Sequence, residues 1–148
     1  MATDITGFGL VAHIIADPSF PVGFPVTQFA DDADPLDIAQ IQIADAAMGL
    51  NGDLVRWARA AIIPVTLNVI PGGTDDTNLQ LLADANRVAQ GKPGTQDAIT
   101  MNLVYPDGRI INLTGGVLVN ASIGLSVSSQ GRLKTRTYVF NFENKTGA

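Results

Sequence analysis

Only one stretch of this 148-residue chain has the means to form a helix, and that restriction governs what the rest can become. Between Pro71-Gly72-Gly73 and the stop signals Gly91 and Pro93, residues Thr74, Asp75, Asp76 and Thr77 offer oxygens to cap a first turn. The two carboxylates also suit the positive end of a helix dipole. Leu81, Ala85 and Val88, with Leu82 and Ala89, recur at three- and four-residue spacing, which predicts a helix over about residues 75–90 with that stripe toward the core. Thirteen of the fourteen acids are Asp and Glu143 is the single Glu, a bias toward turns and caps and away from helix interiors.

The remainder reads as strands and turns within one domain over residues 1–148. Residues 5–15 form a first apolar strand. Pro18, Pro21 and Pro25 exclude a central strand from 19–29, because proline lacks the ladder's donor, so about 17–29 is an extended N-terminal arm or an edge. A strand through three Ile covers 36–44, and Asn51-Gly52 is a strong hairpin signal between it and 54–60. Further strands are expected at 62–70, 98–105 and 109–113, where Gly115-Gly116 breaks the run. Two long arms, 117–127 and 133–142, are joined through Ser128-Ser129-Gln130-Gly131. About eight extended segments and one helix predict a mainly β fold: a small β-barrel, or two packed antiparallel sheets with one flanking α-helix.

Composition narrows function. There is no Cys and one His, His13, which removes disulfides, thiolate nucleophiles and most catalytic zinc sites, so no catalytic residue, cofactor or metal is assigned. The net charge of −5 argues against binding nucleic acid across the whole surface. Charged residues make up 16% of the chain, against about 25% in ordinary domains, while 46% are apolar. That balance points to surface sealed by other subunits. The apolar run 60–70 is interrupted by Pro64, Thr66 and Asn68 and is too short for a membrane span. Asp4 stands where a secretory leader would carry a basic residue, so the chain is expected to stay where it is made.

Gly7-Phe8-Gly9-Leu10-Val11-Ala12 has the spacing of a dinucleotide fingerprint but lacks the preceding strand and following helix. Asp31, Asp32, Asp34 and Asp37 read as a solvated turn, since Pro35 breaks any cation-binding loop. His13 reads as a hydrogen-bonded structural residue. Arg132, Lys134 and Arg136 fall at period two, on one face of an extended strand, where they would pair with acids or meet an acidic polymer. Arg56 and Trp57 have the composition of an interface hot spot.

The order of these features resembles bacteriophage tail tube proteins. The likeness spans nearly the whole chain: Phe29 to Pro35 before a strand, a Gly-rich loop from Met48 to Asp53, a capped helix after Val69-Ile70-Pro71-Gly72-Gly73, Leu113-Thr114-Gly115-Gly116-Val117, and a long terminal hairpin. It is nearest to the inner tubes of contractile tails, with type VI secretion tubes as cousins. The resemblance implies a virion protein made in the host bacterial cytoplasm, assembled with itself into stacked hexameric rings around a channel for DNA. Sheath, baseplate and tail terminator proteins are its implied partners, and no membrane insertion is implied. An inter-ring loop is carried over to residues 45–53, with Met48, Leu50 and Asn51 at the contact and Arg56, Trp57, Arg132, Lys134 and Arg136 as further assembly residues. The alternatives are a β-rich binding module for an acidic polymer and the tube of a phage-derived secretion or bacteriocin particle.

Overall fold

Four segments of the chain bury every second side chain, as a sheet with one face on a core requires. They are β1 (Val11–Asp17), with Ala12, Ile14 and Ala16 inside; β6 (Ile63–Val69), with Val65, Leu67 and Val69; β7 (Ala98–Val104), with Ile99, Met101 and Leu103; and β9 (Arg136–Phe142), with Tyr138, Phe140 and Phe142. The computed structural model describes residues 6–31 and 33–147, so the sequence expectations for residues 1–5 and Asp32 lie outside the described residues. The other elements are β2 (Phe20–Val26), β3 (Leu36–Ile38), β4 (Ala44–Met48), β5 (Leu54–Ala58), β8 (Ile110–Ala121), β10 (Asn144–Gly147) and a single helix among the described residues, α1 (Thr74–Asn86).

Strands β2-β1-β7-β8-β9-β6-β3 follow one another antiparallel, with β10 added to β8. The twelve-residue β8 serves two sheets, pairing through its first half with β7 and through its second with β9. Gly115-Gly116, expected to break the run, is where it bends from one sheet into the other. Gly115 takes φ +66 and the register slips between Ile99 and Met101, as at a β-bulge. Gly116 is buried so close to the Phe142 ring and the Ile99 carbonyl that any side chain would collide.

The segment 17–29 is not a free arm. Its strand β2 is an edge on β1, the position where Pro21 and Pro25 are tolerated. Beyond it, Phe29 bridges Val69, Ile70 N donates to Gln28 O and Ala30 N to Asn68 O, so the chain leaving one margin of the sheet binds β6 near the other. The expected strand 36–44 is cut short: only Leu36–Ile38 pairs with β6, and the chain then departs. The terminal hairpin keeps its turn, where Ser128 N donates to Arg132 O and Gly131 N to Ser128 O. Its continuous ladder, however, joins only 117–121 to 138–141.

Helix α1 ends at Asn86, four residues before the expected end, and shows a different face. Leu79, Leu82 and Ala83 are buried, whereas Leu81 and Val88 are exposed. The cap also differs. Gly73 is the N-cap and Asp75 and Asp76 turn inward, where Asp75 meets donors in the segment after β2 and Asp76 meets donors on β9. Asp75 accepts from the backbone N–H groups of Thr27 and Gln28 at 2.8 and 2.9 Å. At the other end Asn86 Nδ2 donates to Asp97 at 2.8 Å, and Asp97 accepts from Ser19 N at 3.1 Å. Three buried carboxylates thus fasten α1 and its flanking chain to the sheets.

Candidate assembly interface

The two strands flanking Asn51-Gly52 follow no inside–outside alternation, because neither of their faces is covered. Strands β4 and β5 pair only with each other, Ala44↔Ala58 through Met48↔Leu54, and form a separate two-stranded sheet. Gly52 takes φ +88 in the turn, and Gly49 N donates to Asp53 O at 2.7 Å. Leu50 at the tip is fully exposed, Met48 is 68% exposed and Trp57 50%. Ile43, Leu54 and Val55 are exposed as well, although sequence reasoning did not single them out. The run 54–60 carries the signal: its polar residues Arg56 and Arg59 fall on opposite parities, which marks neither face for burial.

The hairpin has two unlike faces. One carries Ala44, Ala46, Met48, Leu54, Arg56 and Ala58; the other carries Asp45, Ala47, Val55 and Trp57. On the second, Arg59 Nη1 meets Asp45 Oδ2 at 3.0 Å and Gln42 Oε1 at 3.0 Å, and Gln42 Nε2 also donates to Asp45. That cluster pins the base of the hairpin. Parity places Arg56 and Trp57 on opposite faces, yet both are exposed.

The predicted basic stripe does not survive as a surface. Arg132 lies outside, its guanidinium forked onto Asp31 at 3.1 and 3.2 Å, and holds that carboxyl below the usual carboxylate range by this hydrogen bonding. Lys134 is exposed in the loop before β9. Arg136 is only 8% exposed and points inward, with Nη1 at 3.0 Å from Asp76. Asp76 also accepts from the Tyr138 hydroxyl at 2.9 Å and from Gly72 N at 3.0 Å. Burial is the main reason the Tyr138 hydroxyl is pushed up to about 12. Period two put Arg136 on the same parity as Tyr138, Phe140 and Phe142, and that parity is the core face of β9. The structure therefore gathers Met48, Leu50, Asn51, Arg56 and Trp57 on one projection and leaves Arg132, Lys134 and Arg136 in three separate settings.

Residues 3–146 match the family described as tail fiber protein gp32. The chain belongs to that family. No curated protein matches it. Among solved structures, it is similar over its full length to the sheath/tube terminator of the PVC extracellular contractile injection system in its extended state. That likeness covers 99% of the other chain at 13% identity, with a TM-score of 0.60. The tube terminating cap of the anti-feeding prophage is similar at 13% identity and TM-score 0.62, covering 100% of this chain and 93% of that one. A chain of the PVC sheath–tube complex follows at 11% identity and TM-score 0.54, covering 93% and 87%. The family match makes this chain a tail protein, and the fold it shares with these neighbours is consistent with the resemblance to tail tube proteins.

Proposed function

We propose that this gp32-family chain is a non-enzymatic, self-assembling tube subunit that forms six-copy rings stacked around a channel for DNA. The observation that carries the reading is the uncovered hairpin. An isolated two-stranded hairpin is marginal in water, and this one exposes Ile43, Met48, Leu50, Leu54, Val55 and Trp57. Such a projection is stable when another molecule covers it. Sister copies supply the cover in this reading, and sheath, baseplate and terminator proteins meet the finished tube. Six copies at −5 each carry −30 per ring, which disfavours adhesion of phosphates and lets DNA slide.

A second reading, the terminating ring that closes such a tube, is favoured by full-length likeness to a tube terminator and a tube cap. Electron microscopy of the purified protein over a range of concentrations separates the two. Stacked cylinders support the tube subunit and single rings that do not stack support the terminator. A chain that stays monomeric at high concentration and any salt overturns both.

A further inference from the structure

The same chain carries an apolar groove at the base of the hairpin. Where β5 runs into β6, an open groove of about 400 Å³ is lined by Ala60, Ala61, Ile62, Val117, Phe142 and Glu143. Its floor is apolar, with Ile62 and Val117 more than half exposed. Its rim carries one charge. Glu143 lies over Gly115, where a Cβ would stand 2.7 Å from the carboxylate, so the glycine leaves room for this side chain. Glu143 is exposed and makes no ion pair among the described residues.

The hairpin face with Met48 and Leu54 is the complement of that groove. Its only charge is Arg56, also exposed and also without an ion pair among the described residues. Three alanines, Ala44, Ala46 and Ala58, keep the face flat between the apolar tip and the cation. Five residues per strand carry the tip about 15–17 Å from the hairpin's base, and the groove lies at that base. Strands β4 and β5 pair only with each other and share no ladder with the strands that line the groove, so the hairpin of one copy leaves its own groove open to a neighbour.

We infer that the hairpin of one copy seats in the groove of a second copy, with Met48, Leu50 and Leu54 on Ile62 and Val117, and Arg56 beside Glu143. A contact between two different patches is heterologous, and repeated at a constant rotation it closes a ring or propagates a file. This rests on the self-assembly reading above and gives it a receptor.

A charge swap tests it. Arg56→Glu and Glu143→Arg each place like charges at the contact and are expected to raise the concentration needed for assembly about tenfold or more. The double variant R56E/E143R is expected to restore assembly toward the unmodified chain. Thermal unfolding of all three variants is expected to match the unmodified subunit, since both side chains are exposed. Single variants that assemble normally, or a double variant no better than the singles, overturn the inference while leaving self-assembly intact. Failure of the unmodified chain to assemble overturns the functional reading itself.

Discussion

Two arginine–aspartate pairs in this molecule have the same separation and opposite consequences. Arg136 meets Asp76 at 3.0 Å with both side chains nearly sealed from water, and Arg59 meets Asp45 at 3.0 Å with half of the arginine side chain exposed. The first lies beneath helix α1, where Tyr138 and the Gly72 amide complete the shell of Asp76. The second lies on the hairpin, where water competes for every hydrogen bond. Distance alone does not rank the two. Removing one partner of a sealed pair strands a charge in low dielectric, whereas an exposed pair loses little more than screened attraction. The chain thus builds a subunit held by buried polar contacts, and beside it a projection that almost nothing inside the subunit holds.

Matched truncations sharpen this contrast most. Asp76→Ala leaves Arg136 buried and uncompensated and is expected to cost about 3–5 kcal/mol of subunit stability. Asp45→Ala, at the same ion-pair distance, is expected to cost about 0–1 kcal/mol. Urea denaturation of both variants measures the difference, and equal losses would remove the distinction between the regions. The next effect concerns the junction of the sheets. Gly116→Ala forces a methyl group against Phe142 and the Ile99 carbonyl, and is expected to cost about 1–3 kcal/mol by overpacking. Gly124→Ala, where nothing stands within 4 Å of the added carbon, serves as its control.

What the sequence made legible divides along the same line. Strands with one covered face announced themselves: the alternation in 98–104 and 136–142 needs only local pattern, and Asn51-Gly52 placed the hairpin turn. The features that sequence misassigned depend on partners distant in the chain. Asp75 and Asp76 look like caps until strand β9 and the Thr27–Gln28 backbone come within reach, 47 to 62 residues away. Arg136 looks like part of a basic stripe until the core face of β9 is known. Gly115-Gly116 looks like a stop because a bend shared by two sheets uses the same residues as a turn. Arg56 and Trp57 stood out by composition and Met48 and Leu50 through the tail-tube resemblance, but the groove that complements them is assembled from three separate segments, around Ile62, Val117 and Phe142. No local pattern encodes that juxtaposition.

The smallest effect expected on the subunit is the one that tests the comparison hardest. Met48→Asp combined with Leu50→Asp replaces two exposed side chains that make no core contact, so denaturation should shift by no more than about 0.5 kcal/mol. The same two carboxylates would have to enter an apolar contact between copies, where an unpaired charge is strongly opposed. Rings or cylinders are therefore expected to vanish from micrographs while the urea midpoint stays in place. If the midpoint moves with assembly unchanged, the hairpin belongs to the folding unit and its apolar tip is not an interface. If only assembly is lost, the exposed residues act between copies, and the buried Asp76 cluster remains the part of the molecule on which a single copy depends.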